Sequence, residues 1–248
     1  MLMGADSGPL NRGGPCREPR NHRGRGSVFL SEKTALNAIE ACAFAEKIRL
    51  PFNHFFSVHL KLGGVSERPQ RAVSHYFKMA SQWLAYNGVP PTYVWWLEHA
   101  IDDADNDKGL HFHALIYVPR ALGKEFRKLA RDRWARLAGI NPIERVVHIE
   151  PVGGKDQSYY DPRAGDKPNQ IRRNSITGNM RYLLKSLGPS KAAEIIATGN
   201  RKSAATLLGI RTAQNLTIYG RRLSLSRNIG EKARLEWLLR RAEASAKG

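Results

Sequence analysis

The pattern of hydrophobic and polar positions predicts strands and helices that alternate along most of the chain. Apolar residues at helical spacing predict helices, and β-branched or aromatic residues with a period of two predict strands. The predicted helices cover residues 31–48, 66–86, 121–138 and 179–187, and the predicted strands cover 54–60, 92–98, 110–117 and 144–152. After the first helix the order is strand, helix, strand, strand, helix, strand, helix. This order predicts an α+β fold in which helices pack on one face of an antiparallel sheet, as in ferredoxin-like proteins.

The charge of the chain predicts an anionic partner. Its 248 residues contain 40 Lys and Arg against 22 Asp and Glu, which gives a formal charge of +18. Nucleic acid is the first candidate, because cationic side chains that neutralise phosphates release counterions. An anionic membrane surface is the second, and a basic protein with no such partner is the third. Many arginines are grouped, as in Arg172-Arg173, Arg221-Arg222 and Arg240-Arg241, and grouped guanidinium suits phosphate.

Composition also predicts the compartment and the outer segments. Cys16 and Cys42 are too few for a disulfide framework, which favours a reducing cytoplasm. The chain has no long apolar run and no hydrophobic signal core, so neither a membrane span nor secretion is expected. Residues 1–27 are predicted to be a disordered basic arm. Residues 191–248 are predicted to be a mainly helical basic extension, with helices near 190–199, 201–209 and 230–246 and a short strand or hairpin near 216–226.

The triplet His111-Phe112-His113 carries the first candidate chemistry. Residues two apart on a strand point to the same face, so both imidazoles would stand side by side while Phe112 packs on the other face. Two neutral imidazoles are half of a divalent-metal site. Glu98 ends the preceding predicted strand and would lie beside them if the two strands pair. A carboxylate with two imidazoles makes a three-ligand site with open positions. The alternative is that Glu98 meets a nearby arginine and the histidines are structural.

A second candidate element is the helical run Tyr182-Leu183-Leu184-Lys185. Residues three apart on a helix are neighbours, so the phenol and the ammonium would be presented together. A phenol with a pKa near 10 needs help as a nucleophile at neutral pH, and a nearby cation provides it. Two other histidines, His54 and His59, lie on the first predicted strand and are weaker candidates for the same site. Tyr159-Tyr160 in a polar loop is the rival position for a nucleophile.

Taken in this order, the motifs Glu98, His111-Phe112-His113 and Tyr182-Leu183-Leu184-Lys185 resemble the HUH superfamily of single-strand DNA endonucleases. The chain is most similar to the single-tyrosine rolling-circle replication initiators of plasmids, phages and small viruses. The resemblance covers residues 54–188, so the nuclease domain would span 28–190. No tyrosine lies three or four residues from Tyr182, and no Walker A motif for a fused helicase occurs.

The resemblance implies a metal-dependent nicking and joining reaction on single-stranded DNA. His111, His113 and Glu98 would hold Mg²⁺ or Mn²⁺. Tyr182 would attack one phosphate with assistance from Lys185, giving a 5′-phosphotyrosine and a free 3′-hydroxyl. The partners would be single-stranded DNA at a replication origin and a host helicase and polymerase. The exposed aromatics of such a site stack bases, and Trp95, Trp96 and Tyr117 are the candidates here.

Other functions remain open at this point. A single-tyrosine transposase or a conjugative relaxase would use the same chemistry. A basic nucleic-acid-binding protein without activity would need only the arginines and lysines. A metal hydrolase of small phosphates accounts poorly for the charge of +18. The acidic loop at 102–107 does not form an EF-hand, because Lys108 and Ala114 stand where that loop needs Gly and Glu. Residues 202–216 resemble part of a helix-turn-helix, and the extension after residue 190 is either part of the main domain or a small DNA-binding appendage.

Overall fold

The computed structural model describes residues 26–27, 30–101, 107–152 and 218–246. Short 3-10 turns lie at Arg120–Leu122 and Arg227–Ile229. The strands are β1 (Gly26–Ser27), β2 (His54–His59), β3 (Tyr93–Ile101), β4 (Asp107–Ile116), β5 (Val147–Pro151), β6 (Ile218–Tyr219) and β7 (Leu223–Leu225). The helices are α1 (Glu32–Lys47), α2 (Pro69–Tyr86), α3 (Gly123–Arg131), α4 (Arg133–Leu137) and α5 (Glu231–Ser245).

A five-stranded antiparallel sheet forms the centre of the described chain. Its strand order is β5-β2-β4-β3-β7, so β4 is the central strand and has a partner on each side. Helix α2 connects β2 to β3 across β4. The short strands β1 and β6 form a separate antiparallel pair. The predicted α+β class and the antiparallel sheet are therefore confirmed.

Helices α2, α3 and α4 cover one face of the sheet. On β2 and β4 the side chains that point to this face are large and apolar, among them Phe56 and Phe112, and both are fully buried. They pack against Tyr76 and Phe77 of α2 and Phe126 of α3. Each buried side chain of this size contributes about 1.5–3 kcal/mol relative to exposure, so this layer is the main core.

The other face of the sheet carries α1 and α5, which corrects the expectation that all helices lie on one face. Phe55, Trp96 and Leu115 point to this side, because they alternate with residues of the main core. Helix α1 approaches them through small residues, which let a helix lie close to a sheet. These are Ala35, Ala38, Ala41, Cys42 and Ala45. Trp237 of α5 then packs edge-on against Phe44 of α1.

Several predicted elements are confirmed with shifted ends. Ser31 caps α1 by accepting a hydrogen bond from the backbone N–H of Thr34 at 3.3 Å. The predicted loop over 99–109 is shorter than expected, because β3 runs to Ile101 and β4 begins at Asp107. The predicted helix over 121–138 is broken at Asp132, where the backbone leaves helical geometry with φ −118° and ψ −77°. The predicted helix near 230–246 is α5.

The prediction of a short strand or hairpin near 216–226 is confirmed for strands, and the hairpin alternative is wrong. Residues 218–219 and 223–225 are both strands, but β6 pairs with β1 and β7 pairs with β3. Gly26 and Ser27 therefore belong to a strand, although the arm was predicted to run to residue 27. The predicted helices over 179–187, 190–199 and 201–209 lie outside the described residues. In the described ranges, none of the helices has both the length and the apolar character that crossing a bilayer requires.

Candidate functional site

The register of the central strands brings Glu98, His111 and His113 together. Glu98 of β3 is directly opposite His111 of β4, and Trp96 is opposite His113. Directly opposed residues of neighbouring strands share a face, and alternation places both histidines on it. Helix α1 covers another part of the same face, where Phe55 and Leu115 lie. The sequence-based expectation that these three side chains lie on one face is confirmed.

Glu98 and His113 are in direct contact. The Oε2 atom of Glu98 lies 3.1 Å from Nε2 of His113, and both side chains are buried. The ring of His113 stacks on Phe55 with a centroid separation of 5.7 Å and an interplanar angle of 12°. The indole of Trp96 also lies beside the ring of His113, with a centroid separation of 5.5 Å. Two large aromatic rings and a carboxylate therefore fix the orientation of this imidazole.

His111 lies in the same buried group, and its ring is held in the neutral state. The pKa of His111 is lowered to about 4, mainly by burial and also by the neighbouring His113 and His59, while Glu98 opposes them. Its Nδ1 atom is buried and has no hydrogen-bond partner among the described residues. A buried polar atom without a partner costs free energy, and such atoms commonly mark the position of an ion or water. A neutral imidazole is also the form that binds metals.

His59 is a third histidine in the same row. It is directly opposite His111 on β2, and the two ring centroids are 4.7 Å apart. Burial lowers the pKa of His59, and His113 adds to this effect. The row across three strands is therefore His59, His111 and Glu98. The other histidine proposed from β2, His54, points to the opposite face, where its ring lies against Phe126.

Arg222 also belongs to this region, and the sequence analysis did not assign it a role there. Its carbonyl oxygen accepts a 2.7 Å hydrogen bond from the N–H of Leu97, so it lies beside the residue that precedes Glu98. The residue is only 4% exposed. Burial lowers the pKa of Arg222 to about 10, and the carboxylate of Glu98 acts in the opposite direction by favouring the charged guanidinium. Only the pairing of β7 with β3 reveals this proximity.

The donor set of the site suits a divalent metal, but the side chains are not arranged around one. Within the described ranges, no three His, Cys, Asp or Glu side chains surround a common metal position. Glu98 and His113 contact each other, so one potential metal-binding atom of each side chain is already engaged. The neutral ring of His111 and its unpartnered Nδ1 atom are the observations that fit a metal. A metal would therefore require side-chain rotation, with the backbone positions already in place.

The remaining predicted site residues divide into two groups. Tyr182, Lys185, the rival pair Tyr159-Tyr160 and the helix-turn-helix candidate at 202–216 lie outside the described residues. Trp95, Trp96 and Tyr117 were predicted to stack bases, and this prediction is wrong, because they are 2%, 0% and 0% exposed. Trp95 and Tyr117 belong to the main core, and Trp96 lies under α1. Helices cover both faces of this sheet, so the large aromatic residues of its inner strands are buried on either face.

We compared the chain with protein-family models, with curated proteins and with solved structures, and none of them matched.

Proposed function

We propose that this chain is a metal-dependent endonuclease that nicks and joins single-stranded DNA and starts rolling-circle replication. The observation that carries the proposal is the buried group of Glu98, His111 and His113 on one face of two central strands, with the 3.1 Å contact between Glu98 and His113. The formal charge of +18 supports a nucleic acid as the substrate.

The fold supports the same proposal at a coarser level. The strand order β5-β2-β4-β3, with α2 crossing from β2 to β3 and α3 and α4 leading to β5, suits a ferredoxin-like arrangement. We propose that arrangement for the sheet, with β7 added at one edge. In it, β4 and β3 carry the candidate site, and β7 pairs with the outer side of β3, so both strands have hydrogen-bonded partners on two sides.

Each described residue of the site has a proposed role. His111 and His113 provide imidazole nitrogen donors, and Glu98 provides a carboxylate, for Mg²⁺ or Mn²⁺. Phe55 and Trp96 keep the ring of His113 in one orientation. The bound metal would offset negative charge on a phosphate oxygen of the DNA. The carboxylate and the buried guanidinium of Arg222 would keep the local charge close to balanced before substrate binds.

The bond changes in the proposed reaction involve Tyr182. Its phenolic oxygen attacks the phosphorus of one phosphodiester, and the bond from phosphorus to the 3′ oxygen breaks. The phenolic proton is lost to solvent, and the leaving 3′ oxygen takes up a proton. The products are a 5′-phosphotyrosyl link and a free 3′-hydroxyl, which can prime synthesis. In this proposal Lys185 offsets the charge that develops during the attack. A later attack by a DNA 3′-hydroxyl reverses the link and closes the strand.

The test is covalent capture of DNA by the full chain. We expect incubation with single-stranded oligonucleotides of mixed sequence and Mn²⁺ to give a protein–DNA adduct that survives denaturing electrophoresis. A chelator, Tyr182→Phe or His113→Ala should each abolish the adduct, because they remove the metal, the nucleophile or a ligand. Tyr160→Phe is the matched control and should leave the adduct intact. An adduct that persists in Tyr182→Phe and disappears in Tyr160→Phe would contradict the assignment of the nucleophile.

A second candidate function is nucleic-acid binding without cleavage. The observation in its favour is that Glu98 and His113 already satisfy each other, and that no three donors surround a metal position within the described ranges. The histidines would then be structural parts of the sheet. This function predicts salt-sensitive DNA binding, no adduct with any metal, and no calorimetric heat when Mn²⁺ is added to the protein.

A further inference from the structure

Two adjacent cavities at the beginning of α2 form a basic trough. One cavity of about 520 Å³ lies between the start of α2 and the β6–β7 turn, and the other, of about 590 Å³, lies along the first turns of α2. Both are lined by Ser66 and Arg68, so they lie side by side. We call this feature the α2 trough. Its charged lining side chains include three arginines and one glutamate, namely Arg68, Arg71, Arg221 and Glu67.

We propose that the α2 trough binds single-stranded nucleic acid, with the arginines on its phosphates and Tyr219 stacked on a base. The proposal rests on the proposed function only in taking nucleic acid as the ligand. Guanidinium groups bind phosphate in a planar, two-pronged geometry, which makes arginine the preferred residue for such contacts. Arg68, Arg71 and Arg221 are all exposed, so their charged groups are available to a ligand from solvent.

Tyr219 is a surface aromatic whose backbone is fixed. Its side chain is 68% exposed, so its ring is accessible to a ligand from solvent. Its carbonyl oxygen accepts a hydrogen bond from Nε2 of Gln70 on α2. Its strand also pairs with Gly26 and Ser27, and Gly220 follows it with φ +86°. An exposed ring on a fixed backbone next to arginines is the arrangement that stacks unpaired bases.

The backbone of Arg68 gives an independent reason to assign a function to its side chain. Arg68 adopts the left-handed conformation, with φ 49° and ψ 51°, immediately before Pro69. Glycine is the residue that occupies this region without strain, and the position before proline disfavours helical backbone angles. A non-glycine residue held there commonly serves a function. The first turn of α2 also carries no acidic residue and no side-chain cap, so its positive helix terminus is available to a phosphate.

The trough is next to the candidate site. His99 and Leu110, which line it, are opposite each other in the register, one step from the pair Glu98 and His111. Their side chains point to the opposite face, because neighbouring strand residues alternate. Arg221 of the trough directly precedes Arg222, which lies beside the site. The trough therefore lies one register step from the candidate site, on the opposite face of the sheet.

The experiment measures binding of DNA to the full chain in EDTA by fluorescence anisotropy. The probe is a fluorescein-labelled single-stranded oligonucleotide of mixed sequence, titrated at several salt concentrations. Tyr219→Ala should weaken binding by about fivefold or more, the lower end of the contribution of one base–aromatic stack. Arg68→Gly combined with Arg71→Ala should reduce the slope of log affinity against log salt by about 0.7 for each arginine removed.

Matched variants control for charge and for folding. Arg68→Gly is chosen because glycine adopts the same backbone conformation, so the fold should be kept. Arg240→Ala removes an exposed arginine from α5, on the other side of the sheet, and should leave the salt slope unchanged. Tyr86→Ala removes a tyrosine that is 90% exposed at the far end of α2 and should leave affinity unchanged. Thermal unfolding of each variant, followed by circular dichroism, should match the parent protein.

Two outcomes would overturn the proposal. One is that the trough variants bind the oligonucleotide as tightly as the Arg240 and Tyr86 variants do. The other is that Tyr219→Ala weakens binding of duplex DNA as much as that of the single strand, because a ring cannot stack on paired bases. The assay contains EDTA and does not depend on cleavage. A missing covalent adduct would remove the proposed nicking function alone, and unchanged affinity with normal adduct formation would remove the trough alone.

Discussion

At the scale of single residues, the sequence was sufficient for those parts of the site that follow from local alternation. The spacing of His111 and His113 determines their common face, and the short loop before β4 places Glu98 opposite His111. Arg222 could not be predicted in the same way, because its place beside Glu98 depends on a pairing between distant segments. The aromatic residues of β3 were left as candidates for base stacking, because periodicity does not show that both faces of a sheet are covered.

A residue-scale prediction concerns acid sensitivity at His54. The pKa of His54 is lowered from 6.5 to about 3, mainly by burial and also by the charge of Arg127. The unfolded chain therefore binds more protons than the folded chain between these values, and stability is lost as pH falls below 6.5. We expect this residue alone to lower the free energy of unfolding by about 2 kcal/mol between pH 7.5 and pH 5.

The measurement is urea denaturation of the parent and of His54→Leu at both pH values. Leucine keeps apolar contact with Phe126 but loses the 2.7 Å bond between Nδ1 and Oδ1 of Asn53, so its stability at neutral pH should be lower. Its decrease on acidification should be smaller than that of the parent. His148→Leu, at an exposed histidine of β5, is the control. Parallel curves for the parent and His54→Leu would contradict the prediction.

At the scale of elements, pattern and caps determined most of the structure. Helix α1 begins where Ser31 predicts, and α2 ends where its apolar spacing ends. The prediction of a single helix over 121–138 was wrong, because the apolar spacing continues across Asp132 although the helix is interrupted there. The pairing of β6 with β1 was missed because two-residue strands carry almost no periodic pattern.

An element-scale prediction concerns the start of the histidine strand. The register of β3 and β4 shifts between Ala100 and Ile101, and Gly109 lies there with φ +79°. A Cβ atom at Gly109 would lie 2.7 Å from Cβ of Lys61, closer than atoms in contact approach. Gly109→Ala combines backbone strain with this clash. We expect it to lower the free energy of unfolding by about 2 kcal/mol, measured by urea denaturation.

Gly139→Ala is the matched control for the clash at Gly109. Gly139 also has a positive φ, +78°, but an added Cβ would meet nothing within 4 Å. In this variant, backbone strain alone should lower the free energy of unfolding, by about 1 kcal/mol. Equal decreases in the free energy of unfolding for the two variants would show that Lys61 moves slightly to accommodate the added Cβ. The contact with Lys61 would then not fix the strand register before His111.

At the scale of the whole molecule, charge and fold carry separate information. The sheet and its two layers of helices follow from apolar burial, and the formal charge of +18 adds nothing to that argument. Charge does predict the class of ligand, because a polyanion gains affinity from released counterions whatever the protein fold. Composition alone, however, does not show where cationic side chains gather. The structure places Arg68, Arg71 and Arg221 around the cavities at the start of α2.

A whole-molecule prediction follows for the salt dependence of binding. We expect the affinity of the full chain for single-stranded DNA to fall by about tenfold or more between 50 and 200 mM KCl, because several phosphate contacts exchange with counterions. Anisotropy titrations with the chelated protein measure it. An uncharged peptide nucleic acid of the same sequence is the control and should show little salt dependence. A flat response with DNA would exclude phosphate contacts as the source of affinity.

The late position of β7 in the chain has a consequence for synthesis. Residues 223–225 complete the sheet edge beside β3, and with them comes the guanidinium next to Glu98. During synthesis Glu98 and the two histidines therefore leave the ribosome before the cation that lies beside them. The group around Glu98 can be complete only after residue 222 has also emerged and β7 has paired with β3.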